Sequence, residues 1–169
     1  MAIDLYIIGT SHALQCGSAE CTASDVQGFE TELRKLCVAL KVRRIAEEMT
    51  EDGLTSHKVK ETVGQRVAKG TSVSYQTVDL SVKERQALSI DDSVLFATLG
   101  RRQIFEDAFQ GAFDDLVGDI RERIWIARLL SGEDWPTLFI CGSDHAVSMR
   151  RLWCRLGMEA KVIHRDYVP

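Results

Sequence analysis

Two short motifs carry the residues best suited to chemistry. Gly9-Thr10-Ser11-His12 follows the apolar run Leu5-Tyr6-Ile7-Ile8, and Gly142-Ser143-Asp144-His145 follows Thr137-Leu138-Phe139-Ile140-Cys141. Each is a strand-like stretch that stops at a glycine and delivers a histidine three residues later. With 12 glycines and four histidines in 169 residues, chance supplies roughly 0.3 Gly-x-x-His matches, so a pair of them, both after strand-like runs, is informative. Glu47 and Glu48 follow the half-apolar run Val42–Ala46, and Asp79 follows Tyr75–Val78.

Two imidazoles and one or two carboxylates can do one of two things. With a divalent cation (Mn, Co, Zn or Fe), His12, Glu47 and His145 form a two-histidine, one-carboxylate ligand face with positions left for water and substrate. The metal would then lower the pKa of its bound water. Without metal, His12 paired with Glu47 or Glu48 is a general base for water. Glu47 is the first choice and Glu48 the second, because adjacent residues on a strand point to opposite faces and only one need face inward. The Arg121-Glu122-Arg123 cluster has Trp125 at helical spacing, so one of its charges can turn inward with the indole. Arg121 is then a candidate oxyanion stabiliser. Asp79, Glu122 and Asp144 stand behind the catalytic candidates as outer residues. His57 and His164 read as solvated or structural.

The elements that would hold these groups alternate. Ser24-x-x-Gln27 is a capping-box pattern, and Phe29, Leu33, Leu36, Cys37 and Leu40 behind it mark one helical face. Met49–Thr55 is polar and predicts a loop. Val59, Val63 and Val67 predict a helix ended by Gly70. Ser81-x-x-Glu84 starts another, short helix. A long amphipathic pattern runs from Ile104 to Trp125, with a Phe105, Phe109, Phe113 stripe. Ala146, Val147, Trp153 and Leu156 predict a helix stopped by Gly157, and Ala160–Ile163 a last strand. Strands alternating with helices imply one compact α/β domain over 1–169, with a mainly parallel sheet flanked by helices and one long helix in the C-terminal half. In such a sheet the carboxyl ends of the strands form the binding crevice, and there His12, Glu47, Glu48, Asp79 and His145 would meet.

Composition narrows the classes. The chain is 45% hydrophobic and 27% charged, ordinary for one globular domain. A net charge of -4 offers no basic footprint for nucleic acid. No apolar run reaches membrane-spanning length, and the N-terminus does not read as a signal peptide, so a cytoplasmic protein is expected. Five cysteines without a C-x-x-C pair predict free thiols, with Cys37 and Cys141 as small core residues.

Gly9-x-x-His12, a central glutamate, and Gly142-x-x-His145 before a final helix and strand resemble the TraB/PrgY and TIKI superfamily. Erythromycin esterases and ChaN-like haem-binding proteins are its more distant members. Val78-Asp79-Leu80 with Arg85 downstream, and Arg121-Glu122-x-x-Trp125, are similar to further segments of that group, although Arg123 could be the matching arginine instead. The resemblance implies hydrolysis at a His/Glu centre assisted by a divalent metal such as Mn or Co, on a small-molecule or peptide substrate. Asp144 before the second histidine, and the chain's shortness, depart from that pattern. Two other functions fit the same residues: a non-catalytic protein holding haem or a small ligand, and an interaction module with the Phe105–Phe113 stripe as its partner face. A homo-oligomer is compatible with each.

Overall fold

The computed structural model describes residues 4–88 and 119–169. Five strands, β1 (Leu5–Thr10), β2 (Arg44–Glu47), β3 (Ser74–Thr77), β4 (Thr137–Gly142) and β5 (Ala160–His164), form one sheet in the order β3-β2-β4-β1-β5. Every pairing is parallel, as the alternating pattern requires. The helices are α1 (His12–Cys16), α2 (Ala23–Ala39), α3 (Glu51–Ser56), α4 (Val63–Thr71), α5 (Val82–Ala87), α6 (helical over 119–130) and α7 (Ala146–Arg155), with a 3-10 turn at Ser143–His145. No helix among the described residues is long and apolar enough to cross a membrane.

Both faces of the sheet are covered, which is why its central strands are apolar on both sides. On one face Ile8, Ile45, Leu138 and Ile140 pack with Phe29 and Leu33 of α2 and Val63 and Val67 of α4. On the other, Leu5, Ile7, Ala46 and Phe139 pack with Trp125 and Leu129 of α6 and Met149 and Trp153 of α7. Trp125 and Trp153 are fully buried. Each such aromatic removes on the order of 200 Å² from water and anchors its helix. Cys37 and Cys141 are buried free thiols.

Some local expectations shift. α2 is capped by Thr22, whose hydroxyl and the Asp25 carboxylate form a reciprocal capping box, and not by Ser24. The segment read as a loop after Met49 contains α3, capped by Thr50. α4 runs one residue past Gly70 and ends at Ser72, which takes the left-handed conformation (φ 56°) usually left to glycine or asparagine. The Ser81–Glu84 capping box is present. Gly157 (φ 79°) follows the end of α7. The Phe105, Phe109, Phe113 stripe and most of the long amphipathic pattern lie outside the described residues.

Candidate functional site

Three neighbouring strands, β2, β4 and β1, end side by side, and each releases a polar residue at its carboxyl end. β4 lies between β1 and β2, so the chain's reversal of strand order falls here, the place where open parallel sheets form a crevice. After β1, Ser11 caps α1 by accepting the Leu14 N–H, which makes His12 the first helical residue. After β4, the 3-10 turn carries His145. After β2, the Glu48 N–H still bonds the Ile140 carbonyl at 2.9 Å, extending the strand one step and fixing where its side chain points.

The Glu48 carboxylate is the hub. Its side chain is only 1% exposed, whereas that of His12 is 50% exposed. Oε2 accepts the Gly142 N–H at 2.8 Å and Oε1 accepts Arg121 Nη2 at 2.9 Å. The imidazoles face the same Oε1, His12 Nε2 at 3.6 Å and His145 Nε2 at 3.8 Å, near but beyond hydrogen-bond length. Burial alone would push the Glu48 carboxyl up. His12, His145, Arg121 and the Gly142 N–H outweigh it and hold the group below the usual range. The Glu48 carboxylate in turn raises His12 above its ordinary value against the opposing effect of burial. For His145, burial pulls downward but the Glu122 and Glu48 carboxylates prevail and raise it.

An outer layer holds these groups in place. His145 Nδ1 lies 2.7 Å from Glu122 Oε1, which also accepts the Ser148 hydroxyl at 2.5 Å. With Nδ1 directed at a carboxylate, the ring presents Nε2 toward Glu48. Arg121 forks onto Asp79, Nε to Oδ1 at 3.2 Å and Nη2 to Oδ2 at 2.9 Å. It lies over the Trp125 ring at 5.0 Å, a cation–π contact. Trp125 Nε1 donates to Asp79 Oδ1 at 2.9 Å, and its ring meets His145 edge-on with centroids 4.9 Å apart. One tryptophan thus braces the arginine, the aspartate and a histidine.

The two glycines have different reasons. A Cβ on Gly9 would lie 2.1 Å from the Arg165 carbonyl oxygen and 2.9 Å from Ser143 Cα, so only glycine lets these backbones approach. A Cβ on Gly142 would meet Glu48 Oε2 at 3.4 Å, His145 Cδ2 at 3.4 Å and His12 Nε2 at 3.6 Å. That is ordinary contact distance. A methyl on Gly142 would therefore just fill the gap between Glu48, His145 and His12.

The fold therefore brings together His12, Glu48, His145, Arg121, Asp79 and Glu122, and it corrects the preference for Glu47. Glu47 shares the sheet face of Ile45, and its carboxylate accepts the Tyr75 hydroxyl at 2.7 Å and the Thr62 hydroxyl at the start of α4. A Cβ on Gly64 would come within 2.6 Å of its Oε1, so the group is clamped at the N-terminal end of α4. Burial pushes its pKa up to about 7, against the opposing pull of Thr62, Tyr75, Arg66 and the Gly64 N–H. The expected ligand set His12, Glu47, His145 is accordingly split between two faces of the sheet. Asp144 is exposed on the 3-10 turn and is not among the partners of His145 Nδ1. Gly142, Trp125 and Ser148 join the site without having been singled out as functional. Gly142 was visible only as motif punctuation and Trp125 as a helical neighbour of Arg121. Ser148, one helical turn after His145, had no signal of its own.

A divalent metal can be tested against this donor set. Substituting Glu48 for Glu47 gives chemically suitable atoms, but the oxygen that both imidazoles face already receives a fixed guanidinium. A dication bonded to it would sit close to that guanidinium, whose like charge offsets part of the attraction to the carboxylate. Among the described residues no group of three or more His, Cys, Asp or Glu is arranged to hold a metal ion. As arranged, both oxygens of Glu48 are already engaged, by Arg121 and by the Gly142 N–H, which disfavours a divalent ion there. Comparisons with protein-family models, with curated proteins and with solved structures returned no match.

Proposed function

We propose that the chain is a hydrolase of acyl bonds whose centre is Glu48 with His12 and His145. The observation that carries this reading is the convergence of both Nε2 atoms on one oxygen of a buried carboxylate, from three adjacent strand ends. His12, half-exposed, is the group that meets water. Its ring takes a proton on the nitrogen not facing the carboxylate as the water oxygen attacks the acyl carbon, and the ionised Glu48, opposite Nε2, stabilises the resulting imidazolium. His145, held by Glu122, returns a proton from Nε2 to the leaving oxygen or nitrogen. Arg121 supplies fixed positive charge for the oxyanion. Each proton taken at His12 is matched by one delivered at His145, so exchange with solvent resets the pair. Small-molecule esters, lactones and amides, including peptides, are the substrate class.

The test is a hydrolysis screen across ester, lactone and peptide bonds with the wild type and the His12→Ala, Glu48→Gln and His145→Ala variants. Loss of general-base or general-acid action lowers turnover by roughly 10²- to 10⁴-fold, and that loss is expected in all three. No hydrolysis of any bond class by the wild type, or equal turnover by the folded variants, would sink the reading.

A further inference from the structure

We infer that Arg121 is the cation of this centre and that its chemistry needs no divalent metal. The inference rests on the hydrolase reading for the site's purpose, but its own support is geometric. The guanidinium occupies the approach to Glu48 Oε1 at 2.9 Å, while Oε2 is taken by the Gly142 N–H at 2.8 Å. It cannot readily swing aside. Two bonds of 3.2 and 2.9 Å tie it to Asp79, and the Trp125 ring supports its face at 5.0 Å. Trp125 is itself pinned to Asp79, which is 8% exposed. Among the described residues Arg85 is the next cation to Asp79, at 4.0 Å, beyond hydrogen-bond range. Withdrawing Arg121 would therefore strand two buried carboxylates without their bonded counter-charge. A planar fork suits this double duty, because it can serve two carboxylates from one rigid group; a lysine ammonium could not reproduce that geometry.

Untagged wild-type protein would be loaded separately with Mn²⁺, Co²⁺ and Zn²⁺, desalted and subjected to elemental analysis, with His12→Ala and His145→Ala alongside. Substoichiometric metal in the wild type is expected. Metal that persists unchanged in both histidine variants lies elsewhere and also supports the inference. Near-stoichiometric metal in the wild type that is lost from both variants overturns it, while leaving the hydrolase reading intact as a metal-assisted one. A second arm asks about the arginine itself. In Arg121→Ala, hydrolysis restored by added free guanidinium supports the assignment, and hydrolysis restored by Mn²⁺ instead overturns it. A wild type that hydrolyses nothing removes the hydrolase reading, and the metal contents still decide this one.

Discussion

Replacing Glu47 by glutamine should stabilise the protein in mildly alkaline solution and do little in acid. The buried carboxyl has its pKa pushed from 4.5 up to about 7, so the folded chain holds a proton that the unfolded chain releases. Below about pH 4.5 both states are protonated and nothing is lost. Between 4.5 and 7 the unfolded state binds fewer protons, and stability falls as pH rises. Above 7 the folded group ionises as well, and the full cost persists. A rise from 4.5 to about 7 corresponds to about 3 kcal/mol at 1.36 kcal/mol per pH unit. Glutamine keeps an acceptor for Thr62 and Tyr75 but never ionises. Its amide nitrogen must sit against Gly64 at the start of α4, where N–H groups already point, and that mismatch costs roughly 1 kcal/mol at every pH. The comparison between pH values cancels it. Urea unfolding of both proteins at about pH 4 and about pH 8 should show Glu47→Gln gaining on the wild type by about 3 kcal/mol from the lower to the higher pH. A difference that does not change with pH, or that changes in favour of the wild type, would refute the buried, clamped carboxyl.

Other outcomes follow from the same contacts. Gly9→Ala should lower the thermal midpoint sharply, since its Cβ meets backbone at 2.1 and 2.9 Å; overpacking of this kind costs roughly 1–3 kcal/mol or more. Gly142→Ala should fold with nearly unchanged stability yet lose hydrolysis, because its Cβ fits among His12, Glu48 and His145 and fills the space between them; full activity in this variant would mean that the space is not used. Trp125→Phe removes the donor to Asp79 at 2.9 Å and should cost about 1.5–3 kcal/mol in denaturant unfolding. The pH–rate profile should be bell-shaped. Its acid limb reports deprotonation of His12 and its alkaline limb loss of the proton on His145. Both limbs should lie above the ordinary histidine value of 6.5, because carboxylates raise both groups.

Much of this architecture was legible in the chain. The apolar runs before Gly9 and Gly142, and the capping pattern at Ser81, place strands and a helix start correctly because each depends on local chemistry. The parallel sheet followed from alternation alone. The choice between Glu47 and Glu48 was not legible. Arg43-Arg44-Ile45-Ala46-Glu47-Glu48 has no apolar alternation to set the phase, and β2 is covered on both faces, so neither parity reads as the outside. Arg44 adds to the ambiguity, since it is buried and bonds the Leu129 carbonyl at 2.8 Å. The phase is set by tertiary partners: Thr62 and Tyr75 on one side, Arg121 and Gly142 on the other. The same holds for Trp125. Its spacing from Arg121 was visible, but its bond to Asp79 spans 46 residues and depends on how α6 crosses the sheet.

The measurement that bears most directly on the Glu48 hub is an NMR titration of the His12 and His145 imidazoles in the wild type and in Glu48→Gln. Both rings are expected to titrate above 6.5 in the wild type, and His12, whose largest influence is the Glu48 carboxylate, should fall back furthest in the variant. His145 should fall less, because Glu122 remains bonded to its Nδ1. A His12 that titrates at or below 6.5 and does not respond to Glu48→Gln would contradict the convergence on which the site is built.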